Sequence, residues 1–162
     1  MINIFQERMP IKMNRGFMLI KDELLTYKEE DTLIPKRATK YSAGYDFYLP
    51  CDVVLKAKKK VQVKTNLKAY MKKDEVLFLF IRSSYAIKKG ITLTNNVGII
   101  DSDYFSNEDN DGEIIVSLTN NTDEDIYLKR GDRFIQGIFL KYLTVDGDTT
   151  TKLRKGGIGS TK

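Results

Sequence analysis

"DIYLKRGDRFIQGIFLKYL", residues 125 to 143, decides the fold. Apolar side chains alternate with polar ones on both sides of the polar "KRGD", the pattern of two half-buried strands separated by a turn that carries Arg130. Working outward, the same short runs recur in "VQVKTNLKAYM", "EVLFLFI", "ITLTNNVGII" and "EIIVSLTN", each bounded by Gly, Asn, Asp or Lys-rich segments. Such a series predicts a nearly all-β chain folded as an antiparallel sandwich or barrel. The stretch "KDELLTYKEED" (21 to 31) has a thin apolar face and suits a loop or strand as well as a short helix, and "SYAIKKG" suits one turn of helix.

Composition narrows the chemistry. The chain has 162 residues, the size of one domain, with 41% apolar residues, and no internal repeat divides it. Cys51 is the single cysteine and cannot form an intramolecular disulfide, and no apolar run is long enough for a membrane span, which points to the cytoplasm. Histidine is absent, so a general base or metal ligand must come from carboxylate, Lys, Tyr or Ser groups. A formal charge of +5 suits a polyanionic ligand. The lysines are nonetheless spread along the chain, and the densest cluster, residues 56 to 60, lacks aromatics and reads as a solvated turn, which disfavours nucleic acid.

Five segments join glycine or serine to a charged residue at the end of an apolar run: "AGYDFYLP" (43 to 50), "RSSYAIKKG" (82 to 90), "NNVGIIDSDY" (95 to 104), "RGDRFIQGIF" (130 to 139) and "RKGGIGSTK" (154 to 162). Glycine lets a backbone N–H approach a phosphate, serine adds a donor and arginine offers a planar fork. Only seven residues are arginine against twenty lysines, yet Arg82, Arg130, Arg133 and Arg154 all fall in these segments. Together they describe an anion site.

In order and spacing the five segments resemble the trimeric dUTP pyrophosphatase (dUTPase) family, bacterial or phage type, from about "LIPKRATKYSAGYDF" to the end of the chain. The resemblance implies a distorted jelly-roll β-barrel, assembled as a homotrimer with a C-terminal arm exchanged between subunits and active sites shared among them. It divides the chain into an N-terminal extension (1 to 14), a β domain (15 to 150) and a flexible arm (151 to 162). The implied reaction is hydrolysis of dUTP to dUMP and pyrophosphate, by attack of water on the α-phosphorus. Asp101 matches the general base, which also meets the 3′-hydroxyl, and Tyr104 the aromatic that packs under the deoxyribose. Asn95, Gly98, Ile99 and Ile100 match the hairpin that reads uracil, with Ile115 also among the implied substrate contacts.

Arg82, Ser83 and Ser84 match the phosphate grip and Gln136 a polar contact beside it, while Arg133 either touches the phosphates or ties the arm. Asp46 matches the acid that holds hydrated Mg²⁺ through water. Arg154, Gly157, Ile158, Gly159, Ser160 and Thr161 match the arm that wraps the phosphates. Two features depart from the family pattern. Ile158 stands where phenylalanine is usual, replacing stacking by apolar contact, and "YFSNEDNDGE" puts Gly112 eight residues after Tyr104, an acidic insertion (105 to 112) expected as a surface loop by the site mouth. Asp103 reads as a turn residue. A dUTP-binding regulatory protein with a protein partner, and a dCTP deaminase of the same fold, are the competing readings.

Overall fold

The computed structural model of the chain describes residues 13 to 159. Twelve strands follow one another: β1 (Gly16–Leu19), β2 (Lys36–Arg37), β3 (Tyr45–Tyr48), β4 (Val53–Leu55), β5 (Lys60–Lys64), β6 (Leu67–Tyr70), β7 (Glu75–Ile81), β8 (Ile91–Leu93), β9 (Gly98–Asp101), β10 (Ile115–Asn120), β11 (Ile126–Leu128) and β12 (Arg133–Lys141). The helical content among them is slight. "KDELLTYKEED" forms two short 3₁₀ turns, Asp22–Leu24 and Glu29–Asp31, and "SYAIKKG" holds one π-type turn, Ser84–Lys88.

The alternation in the opening stretch becomes β11 and β12, and β12 forms the middle of a five-stranded sheet ordered β2-β3-β12-β7-β9. Smaller sheets, β5-β10-β8, β1-β6 and β11-β4, complete the barrel, and every strand pairing among the described residues is antiparallel. Phe47, Leu77, Leu79, Ile135 and Ile100 point from the large sheet into a core shared with Leu55, Val63, Leu118 and Leu128. Gly137 belongs to this face because a side chain there would press on Phe47 and Leu77. Where "VQVKTNLKAYM" reads as a continuous apolar pattern, the chain turns at Asn66 (φ 59°), separating β5 from β6. The Asn66 side chain accepts from Thr26 N–H (2.9 Å) and donates to the Tyr27 carbonyl (2.8 Å), hanging the loop of 3₁₀ turns on this bend.

Because side chains alternate along a strand, the register also defines what the large sheet turns away from the core. Asp46, Gln136 and Phe80 line up across β3, β12 and β7; Ile138, Phe78 and Ile99 across β12, β7 and β9; Leu140, Val76 and Asp101 across the same three strands. The outward face therefore has Asp46 at one corner, Asp101 at the diagonal corner, and an apolar band between them. Ile99 is 60% exposed.

Candidate active site

At the first corner Asp46 is buried, and both carboxylate oxygens meet a guanidinium. Arg82 Nε lies 3.0 Å from Oδ1 and Arg133 Nη1 3.2 Å from Oδ2. Arg82 also donates to the Arg133 carbonyl (3.2 Å), so the three residues lock together. Register explains the meeting: Asp46 is opposite Gln136 on β12, and Arg82 directly follows β7. Gly44 leaves room here for the Gln136 amide, which a side chain at that position would displace. Ser83 is exposed and Ser84 half-buried at the start of the π-type turn, which is held by Tyr85 and Ala86 N–H groups donating to the Arg82 carbonyl. Arg133 is thereby held on Asp46.

At the second corner β9 runs into a 3₁₀ turn, Ser102–Tyr104. The Asp101 side chain is half exposed, and its Oδ2 accepts from Arg154 Nη2 at 2.8 Å. Asp103, read from sequence as a simple turn residue, accepts from Arg154 Nε at 3.1 Å. The same guanidinium lies 5.6 Å from the centre of the Tyr104 ring. Tyr104 is buried, its hydroxyl donating to the Glu113 carbonyl (2.9 Å) and accepting from Asn110 (2.8 Å). Burial pushes its hydroxyl above the usual tyrosine range.

The insertion is a loop beside Tyr104, as expected, but only part of it faces solvent. Asn107, Asp111 and Gly112 are buried, while Glu108 and Asp109 stay at the surface. Asp111 Oδ2 accepts from Lys68 Nζ at 2.6 Å and from the Lys21 N–H at 2.9 Å, and Lys68 also lies over the Phe105 ring. The acidic composition suggested solvent, but a buried lysine on β6 supplies the missing partner. Next to it the Glu113 carboxyl is pushed above the usual range by burial, despite an N–H from Asn66.

Asn95 sits exposed in a turn with Asn96 at φ 63°. That turn is not the tip of a two-stranded hairpin: β8 pairs with β10 and β9 with β7, so it carries the chain from one sheet to another. Gly98 is buried against Leu79, whereas Ile99 and Ile100 follow on β9. Ile115 opens β10, opposite Lys64. In the arm Gly157 is buried and Ile158 and Gly159 are exposed; Ser160, Thr161 and residues 1 to 12 of the expected extension lie outside the described residues.

By strand spacing and rise the two corners are roughly 20 Å apart, three strands across and four residues along. One offers a guanidinium pair beside a serine turn, suited to phosphate oxygens; the other offers an exposed carboxylate joined through the Arg154 guanidinium to an aromatic ring. The antiparallel all-β barrel is of the jelly-roll type. A family model described as dUTPase matches residues 30 to 162. The chain belongs to the dUTPase family.

Its relatives agree. It is 42% identical over 149 residues to the deoxyuridine 5′-triphosphate nucleotidohydrolase of Lactococcus lactis, covering 91% of this chain and 97% of that one. The enzyme of the same name from Buchnera aphidicola is 36% identical over 134 residues, covering 78% and 83%. Among solved structures, dUTPase from Streptococcus mutans superposes with a TM-score of 0.73 at 45% identity, over 82% of this chain and 99% of that one. A mutant dUTPase from phage phi11 of S. aureus, described as showing coordination of a structural Mg(II) ion, shares the fold with a TM-score of 0.67 at 18% identity, over 86% and 98%.

Proposed function

We propose that Asp101 is the general base with which this member of the dUTPase family hydrolyses dUTP to dUMP and pyrophosphate, in a site shared between copies of the chain. The observation that carries this reading is the separation of the corners. An attacking water must touch both its base and the α-phosphorus, at about 3 Å from each. Phosphates gripped at Arg82 are roughly 20 Å from the same chain's Asp101, several times too far for that. A second copy that brings its own Asp101 corner beside the first copy's Arg82 corner closes the gap. The apolar band of half-buried Phe78, Phe80 and Ile138 with exposed Ile99 on the outward face supports such packing, because apolar surface left open to water favours association. A homotrimer, as in the family resemblance, gives each site such neighbours and a third copy to lend its arm.

In that site the Asp101 carboxylate takes a proton as the water oxygen bonds to the α-phosphorus. The bond to the bridging oxygen breaks, and its electron pair leaves with pyrophosphate. Displacement at phosphorus asks for positioning and charge stabilisation more than for a strong base, which suits a chain without histidine. Arg82, Ser83, Ser84 and Gln136 hold the leaving oxygens, and Arg154, Gly157, Ile158, Gly159, Ser160 and Thr161 close over them. Tyr104 supports the sugar. Asn95 and the main chain of Gly98, Ile99 and Ile100, with Ile115, read uracil; unpaired groups reject cytosine.

Magnesium fits this site as an ion carried by the triphosphate. Both Asp46 oxygens already meet guanidiniums, and among the described residues no three acidic or cysteine side chains cluster to cage a metal. Asp46 would reach the ion through water, and the ion would supply charge neutralisation on the phosphates. Unpaired Cys51 accords with a cytoplasmic setting, and no helix among the described residues is long and apolar enough to cross a membrane.

The test mixes two variants. Asp101→Asn and Arg82→Ala should each release little pyrophosphate from dUTP, and unfolding and refolding them together should restore part of the wild-type rate. No recovery would overturn the shared site. Pyrophosphate release from dCTP and dTTP equal to that from dUTP would overturn the uracil reading. Tight dUTP binding without turnover in the wild type would favour the regulatory protein, and ammonia release from dCTP the deaminase.

A further inference from the structure

The insertion is built as a rigid turn around Asn107. Its Oδ1 accepts from the N–H groups of Asp109 (3.0 Å) and Asn110 (3.2 Å), and its Nδ2 donates to the Tyr104 carbonyl (2.9 Å) and to Asn110 Oδ1 (2.8 Å). This turn presents two groups outward, and the arm takes both. Glu108 N–H donates to the Lys155 carbonyl (3.2 Å), and Gly157 N–H donates to Asp109 Oδ2 (2.7 Å). Arg154, directly before these anchors, places its guanidinium on Asp101 and Asp103, over the face of Tyr104, with a side chain only 11% exposed.

We propose that insertion residues 107 to 110 and Asp103 form a parking seat for the chain's own arm, which holds Arg154 across the base and the sugar platform until a nucleotide displaces it. The inference rests on Asp101 being the base. Geometry argues for blockade, because Arg154 occupies the ring face on which deoxyribose would lie and the carboxylate oxygen that would face the water. Geometry also argues for the arm's own chain as occupant. Lys141 ends β12 beside Glu75, and Asp101 lies across β7 from the neighbouring Leu140, about 10 Å away. Residues 142 to 153 can extend to roughly 40 Å, so the arm reaches its own seat with ample slack and can swing out of it. A triphosphate offers Arg154 more charge than two carboxylates and so draws it off.

The experiment compares full-length wild type with Asp109→Ala and with Asp103→Asn, whose exposed side chain makes misfolding a small concern. Without nucleotide, trypsin should cut after Arg154 and Lys155 faster in both variants. With dUTP and Mg²⁺, KM should fall about three- to fivefold, the size of one part-exposed ion pair, while kcat stays unchanged. Cleavage and KM equal to wild type in both variants would overturn the seat. Faster cleavage with a raised KM would overturn blockade, because the seat would then serve closure over bound nucleotide. A wild type that releases no pyrophosphate would instead defeat the hydrolytic reading, and the cleavage comparison would still report on the seat.

Discussion

Asp46 and Asp101 share one face of one sheet, yet their counter-charges are held in opposite ways. Asp46 faces two arginines whose backbones belong to, or directly follow, paired strands, and it is 5% exposed. Asp101 is on the edge strand β9, half exposed, and its arginine comes from an arm twelve residues beyond the sheet. The inner strand β3 has its electrostatics fixed; the edge strand β9 has them adjustable. Under the proposed function this difference has a use: a carboxylate that only has to stay ionised can be locked in place, whereas one that accepts a proton needs a counter-ion able to leave.

The sharpest way to break the comparison is Asp101→Asn. Losing a positioned base should reduce turnover by about 10²- to 10⁴-fold while dUTP binding, measured by calorimetry with a non-hydrolysable analogue, stays near wild type. Retained turnover would remove Asp101 from its role. Next comes Lys68→Met, which strips the buried cation from Asp111 and so unpins the insertion behind the Asp101 corner. An uncompensated buried carboxylate costs about 3–5 kcal/mol, seen as a lower midpoint in urea. An unchanged midpoint would show that the pair does not anchor the loop.

The smallest effect lies at Glu75, the β7 residue that precedes Val76 beside the Asp101 corner. Arg15 bonds both its oxygens and holds the carboxyl below its ordinary value of 4.5. A depressed folded value adds stability that is complete above about pH 4.5 and is lost as the pH falls through the folded value. Arg15→Leu should therefore flatten the acid limb of the stability curve, followed by urea midpoints from pH 6 to pH 3. An unchanged limb would assign the acid sensitivity elsewhere.

Much of this was legible before any coordinates. The alternation in 125 to 143 became β11 and β12, "EVLFLFI" became β7 residue for residue, and the five segments named the family. Sequence could not give the register that puts Asp46 and Asp101 on one face at distant corners, because registers depend on pairings many residues apart. Asp103 was missed as a partner of Arg154, 51 residues away, and the burial of Asp111 was missed because the acids of the insertion suggested solvent, where Glu108 and Asp109 do stand. A signal was available: Lys68 stands between Leu67 and Ala69, where a strand buried on both faces would need an acid for it, and Asp111 is that acid.

The stretch from 142 to 153 acts as a leash. A flexible chain of twelve residues has a root-mean-square span of roughly 20 Å, and short tethers of this kind hold their load at an effective concentration in the millimolar range. Contacts too feeble to be detected between separate molecules can then stay made most of the time, and diluting the protein does not release them.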